Sequence, residues 1–138
     1  MADNHSKESR SYNMSRIKAK DTKPEQIVRQ YLFSHGFRYR KHVSELPGKP
    51  DIVLPKYRTV IFVHGCFWHV HENCSRAIIP KSNEGYWIPK LSKNKERDLR
   101  NISFLESQGW KVIVVWECEL KKNIQLKRLD ILYHEILV

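Results

Sequence analysis

The apolar rhythm of this chain starts late. Residues 1–21 are polar and basic, with Ser, Asn and Lys interleaved, too little apolar surface to order by burial. They predict a mobile arm whose apolar knobs, Met14 and Ile17, are three apart and could share a helical face. Thr22 and Glu25, with Pro24 between them, have the form of a capping box opening a helix. Ile27, Val28, Tyr31 and Leu32 continue it at helical spacing, and Gly36 suits a left-handed terminus. Phe37, Tyr39 and Val43 then alternate with charged residues as in a half-exposed strand. After the turn chemistry of Leu46-Pro47-Gly48-Lys49-Pro50, two short apolar runs, Asp51 to Leu54 and Val60 to His64, predict an antiparallel hairpin.

From Cys66 to Lys90 neither period is sustained, which predicts a long loop. Ser92 to Gln108 reads as an amphipathic helix with Leu99, Ile102 and Leu105 on its apolar side and Gly109 as its stop. Trp110 to Trp116 is nearly continuous in apolar residues, as expected of a strand buried on both faces and parallel to Val60–His64. Leu120 to Val138, with Ile124, Leu129, Leu132 and Ile136, closes the chain as a helix. The order predicts an α/β fold with a central mixed sheet flanked by helices. A chain of 138 residues accommodates a basic arm, 1–21, and a single domain, 22–138.

Composition narrows the partner. No apolar stretch approaches the roughly 20 residues that cross a bilayer, and residues 1–10 lack the apolar core of a signal peptide, so a cytoplasmic protein without a membrane partner is expected. The formal charge of +10, from 25 Lys and Arg against 15 Asp and Glu, favours a polyanion, because each neutralised phosphate releases counterions.

The densest chemistry lies in His64-Gly65-Cys66-Phe67-Trp68-His69-Val70-His71-Glu72-Asn73-Cys74, which holds two of the three cysteines. In a reducing compartment these are not expected to be disulfides. Cys66, His71, Cys74 and Cys118 would make a closed and therefore structural zinc set; His69 in place of His71 is also chemically possible, and buried thiols acting as small hydrophobes is the simpler alternative. Asp51 begins one central strand and His64 ends its partner, so their side chains could approach, and a carboxylate there suits Mg²⁺. An aspartate after Gly-Lys-Pro can equally be a turn residue. His69 could serve as acid or base, since an imidazole titrates near neutrality. Glu25 is accounted for locally by the capping box. Phe67, Trp68 and Trp87, placed in loops beside basic residues, suggest stacking on bases or packing beneath the loop.

His64-Gly65-Cys66-Phe67-Trp68-His69, with Pro47-Gly48-Lys49-Pro50-Asp51 upstream and Trp116-Glu117-Cys118 downstream, resembles the very short patch repair endonucleases, the Vsr family. The resemblance runs from Arg10-Ser11-Tyr12-Asn13-Met14 through Lys93-Asn94-Lys95-Glu96-Arg97-Asp98 to Cys118. It implies a restriction-endonuclease-like fold and Mg²⁺-dependent nicking of one strand 5′ of the thymine in a T:G mismatch in duplex DNA. It implies that Asp51 binds metal, that His64 and His69 are active-site histidines, and that Glu25 joins them. Cys66, His71, Cys74 and Cys118 match the structural zinc set. Phe67, Trp68 and Trp87 match an aromatic wedge, Met14 approaches the DNA from the other groove, and Lys90 and Asn94 lie near the mismatch. A monomer acting in the bacterial cytoplasm at the nucleoid, with repair-protein partners, completes the expectation.

The chain departs from the family pattern in two places. Val63 stands where Thr is usual, so a metal contact there would use the backbone carbonyl, and His71 and Cys74 are one residue further apart. The second acidic residue and lysine common in restriction-like nucleases do not follow Asp51; Phe62-Val63-His64 occupies that place. Two other functions fit part of the pattern: a sequence-specific restriction nuclease, separable by mismatch dependence, and a zinc-stabilised DNA-binding module without chemistry, separable by metal-dependent nicking.

Overall fold

The computed structural model describes residues 22–138; the arm 1–21, with Met14, lies outside them. Helix α1, Lys23–Ser34, begins as its sequence dictates, with the Thr22 hydroxyl accepting from the Glu25 N–H at 3.4 Å. Gly36 follows with φ +88°, the left-handed conformation that lets the chain leave the helix. The Glu25 side chain corrects the expectation of a mere capping residue. It is 1% exposed and turned into the protein.

Four strands form one sheet in the order β1-β2-β3-β4. They are β1, Arg40–Lys41; β2, Ile52–Leu54; β3, Thr59–His64; and β4, Lys111–Trp116. The β1–β2 and β2–β3 pairs are antiparallel and β3–β4 is parallel, with His64 opposite Trp116. The expected strand through Phe37–Val43 shrinks to two residues because His42, at φ +52°, breaks the extended backbone. β4 alternates rather than being buried throughout. Ile113 and Val115 are buried while Val112 and Val114, which point to the opposite face, are half-buried, so one face of this edge strand is covered less fully than the other.

Both faces of the sheet are covered. Ile52, Leu54, Ile61, Val63, Ile113 and Val115 pack with Val28 and Leu32 of α1 and with Leu129, Leu132 and Ile136 of helix α3, Gln125–Leu137. On the other face Val53, Val60 and Phe62 meet Leu105 and Ile102 of helix α2, Glu84–Ser107. Leu132 is fully buried between layers. Leu132→Ala is expected to cost about 2–5 kcal/mol, read as a lowered denaturant midpoint.

Three further expectations are revised. α2 starts at Glu84, inside the expected loop, so Trp87 and Lys90 are helical. Pro89 sits in its second turn, where it forgoes the bond to the Gly85 carbonyl and crowds that carbonyl with its ring. Leu99 is 58% exposed, so the buried stripe of α2 is not the one through Leu99 but the one through Leu91 and Leu105. The last helix begins at Gln125 after a 3-10 turn at Glu117–Leu120, and Ile124 lies exposed at its cap.

Candidate active site and thiolate cluster

The hairpin register carries Asp51 to the end of β3. One carboxylate oxygen of Asp51 accepts the Val63 N–H at 2.6 Å, so Val63 meets Asp51 through its backbone. From α1, Glu25 comes alongside; its Oε2 accepts from Arg29 at 3.2 Å and from the His42 Nε2 at 2.9 Å. His42 reaches Glu25 from a left-handed backbone position. Burial pushes the Asp51 carboxyl up to about 8, and the Glu25 carboxylate beside it adds to the rise, against the Val63 N–H and Arg29. Two buried carboxyl groups in hydrogen-bonding contact cannot both ionise cheaply unless a cation joins them. The ligand atoms of Glu25, His42 and Asp51 lie within 4.8 Å of one another. A donor set dominated by carboxylate oxygen fits a hard divalent ion such as Mg²⁺.

Next to this pair, His64 and His69 stack in parallel, ring centroids 3.8 Å apart and planes 4° apart. Desolvation, with His69 adding to it, lowers the His64 imidazole to about 3, so it is neutral at physiological pH. The Nδ1 of His69 lies 2.5 Å from Asp98 Oδ2. A carboxylate there holds the proton on Nδ1 and leaves Nε2 as the nitrogen available to a reacting group. Asp51, Val63, His64, His69 and Asp98 line one groove of about 1080 Å³, rimmed by Lys49 and Arg97.

At the lip of the groove the aromatic residues meet each other. Phe67, Trp68 and Trp87 are mutually edge-to-face at 5.2 to 5.6 Å, and Tyr86 adds a fourth ring 4.9 Å from Trp87. Trp68 is 37% and Tyr86 53% exposed. Lys90 Nζ sits 5.8 Å from the Trp68 ring and donates to the Tyr86 hydroxyl at 3.3 Å. Asn94 donates to the Trp68 carbonyl at 3.2 Å. Loop and helix thus share one apolar surface.

Cys66, His71, Cys74 and Cys118 converge with ligand atoms within 4.8 Å. His71, not His69, stands beside the thiols, its Nδ1 3.5 Å from Cys118 Sγ. The left-handed residues Val70 and Asn73 let the chain curl back on itself between the ligands, and the longer His71–Cys74 spacing closes. Cys66 is buried, and burial pushes its thiol up to about 12; a bound metal would displace that proton. Three thiols and one imidazole are the donor chemistry of tetrahedral zinc.

Asp98, His42, Arg29 and Tyr86 escaped the residue-by-residue reading. For Asp98 a signal existed. Leu91, Asn94, Asp98, Asn101 and Leu105 recur at spacings of three and four, one face of α2 that is apolar at its ends and polar in its middle, where it crosses the groove. Nothing local marks Arg29 or His42.

Comparisons with known proteins point to one family. The family model described as DNA mismatch endonuclease Vsr matches residues 2–76. The type II nicking enzyme V.NmeAIP of Neisseria meningitidis is 54% identical over 99% of this chain and 97% of its own length. V.XorIIP of Xanthomonas oryzae, also named a type II nicking enzyme, is 50% identical over 87% of this chain and 88% of its own. The DNA mismatch endonuclease Vsr of Escherichia coli is 46% identical over 91% of this chain and 80% of its own. With a family match across more than half its length and relatives of this similarity, the chain belongs to the DNA mismatch endonuclease Vsr family and is a nicking endonuclease.

Proposed function

We propose that the protein nicks one strand of duplex DNA 5′ of the thymine in a T:G mismatch, using Mg²⁺ at Asp51 and a structural zinc at Cys66, His71, Cys74 and Cys118, on a restriction-endonuclease-like core. One observation carries this reading. A single groove brings Asp51, which Glu25 backs from α1, together with the Asp98–His69 pair and with Trp68, the exposed member of the ring cluster that lines it.

When bound, Mg²⁺ polarises the scissile phosphate and lowers the pKa of water. Asp51, held by the Val63 N–H, supplies the anionic donor, and the Val63 carbonyl is the backbone donor beside it. Glu25 places a second carboxylate at the same point, with Arg29 and His42 fixing its orientation. His69 moves the proton at Nε2 while Asp98 stabilises the imidazolium, a role worth about 10² to 10⁴ in rate. Neutral His64 supports the His69 ring by stacking. Lys49 and Arg97 on the rim suit phosphate backbone contacts, in keeping with a net charge of +10.

The rings supply the selection. Phe67, Trp68 and Trp87 form a wedge that enters the base stack, and a mispaired step opens more cheaply than a paired one. Lys90 and Asn94 stand beside it to meet the exposed base edges. Nicking assays on T:G and fully paired duplexes, with and without Mg²⁺, test the whole. Cleavage of both strands of paired DNA would make this a restriction nuclease, and binding without Mg²⁺-dependent nicking a DNA-binding module.

Trp68→Ala tests the wedge alone. Stacking of one base on one ring is worth about 1–3 kcal/mol, so the variant should nick the T:G duplex roughly ten to a hundred times more slowly and lose preference over paired DNA. Lys127→Ala, on exposed α3 surface, should change neither. A Trp68→Ala enzyme with wild-type rate and preference would reduce the residue to loop packing.

A further inference from the structure

We infer that Trp116 is a positioning residue that couples the thiolate cluster to the His64–His69 pair. The inference rests on the roles proposed above for those histidines. His64 and Trp116 are cross-strand partners at the ends of β3 and β4, and a cysteine of the cluster, Cys66 or Cys118, follows each of them two residues later. The cluster therefore ties the two strand ends just beyond the rung that carries both rings, and the Cys66 N–H adds a bond to Glu117 Oε1 at 3.0 Å.

The side chains form one continuous run of ring contacts, two of them stacked and the middle one edge-on. His71 lies flat on Trp116, centroids 4.0 Å apart and planes 8° apart. The Trp116 ring then meets His64 edge-on at 5.2 Å and 74°, and His64 lies flat on His69. At the far end His69 is held by Asp98 and at the near end His71 by the cluster. The Trp116 backbone is itself pinned, its N–H donating to Glu119 Oε1 at 2.9 Å, a carboxylate also held by Arg128 at 3.1 Å.

His64 is the weak point of this run. Its Nδ1 is buried without a hydrogen-bond partner among the described residues, so packing by Phe62, His69 and Trp116 sets the ring angle. The rigid ring at position 116, face-on to His71 and edge-on to His64, is what carries the orientation of His71 across to it.

The test compares Trp116→Phe and Trp116→Leu. Both should keep one zinc per chain and a KM for mismatched duplex within about twofold of wild type. Because misplacing reacting groups by about 1 Å can cost 10²-fold, the leucine variant should lose at least about tenfold in kcat, and the phenylalanine variant, which keeps a rigid ring, no more than about threefold. Imidazole NMR gives a readout apart from activity. Exchanging zinc for the larger cadmium ion should move the His64 resonances together with those of His71 in wild type, and those of His71 alone in Trp116→Leu. The coupling is overturned if the leucine variant keeps its kcat, if phenylalanine falls as far as leucine, or if His64 ignores the exchange in wild type. That last measurement decides the matter should Trp116→Leu not fold. Asp51→Ala, run alongside, separates the two claims: normal nicking by that variant sinks the proposed site, whereas loss of nicking there with an unchanged Trp116→Leu sinks only the coupling.

Discussion

Asp51→Ala should abolish nicking, and His69→Ala should lower it by about 10² to 10⁴, while both variants still bind duplex DNA through the basic surface. The first loss is the larger because Asp51 is the anchoring donor for the cation on which the proposed cleavage depends. Binding and single-turnover nicking on the same T:G duplex measure the two properties separately. Near-normal cleavage by Asp51→Ala would remove the residue from the mechanism.

The same carboxyl carries a stability signature of opposite sense. In the absence of Mg²⁺ its folded value of about 8 lies above the ordinary 3.8. Its protonated form is therefore favoured by folding. The contribution is fully present below the ordinary value and is lost as pH rises through about 8. Wild type without Mg²⁺ should lose thermal stability across that window, and Asp51→Asn, which cannot ionise, should lose less. Melting curves from pH 4 to 8 with zinc retained check the sign; an equal slope for both proteins would locate the titration elsewhere.

Cys118→Ala should release the zinc and destabilise the protein severely. Structural zinc sites contribute apparent binding energies of about 10–16 kcal/mol in small domains, and even a retained fraction near 3 kcal/mol corresponds to a fall in Tm of about 10 °C here. The reason lies in what the cluster replaces. From Phe67 to Asn83 no side chain is buried, so the segment carrying Phe67 and Trp68 has little apolar packing of its own to hold it. Metal analysis should return one zinc per wild-type chain and none for the variant. An unchanged melting temperature in Cys118→Ala, or normal folding after the zinc is removed by mild chelation, would show that the cluster is not structural.

Much of this architecture was legible along the chain. The Thr22 cap, Gly36, the β2–β3 hairpin and the parallel fourth strand follow from short-range rules of capping, alternation and β-branching, which act within a few residues and so survive without tertiary context. Cysteine and histidine identity nominated the four cluster residues, because few side chains bind zinc. The start of α2 was not legible: no helical period is sustained from Cys66 to Lys90, and it is tertiary packing, of Leu91 in the interior and of Trp87 against Phe67, that supports a helix there. The choice of His71 over His69 was likewise left open, since both imidazoles are near the cysteines in sequence; the left-handed turns at Val70 and Asn73 settle which one meets them.

The sequence by itself determined most of the elements, the charge and the kinds of donor available. Tertiary structure alone decided their partnerships. Glu25 looks complete as a capping residue until α1 packs beside the sheet and brings it to Asp51, 26 positions away. Asp98 is one more charge on a charged helix until α2 crosses the groove and sets it against His69. Helical and strand periodicity are properties of neighbours along the chain, whereas a site is made by groups whose separation in sequence carries no record of their distance in space.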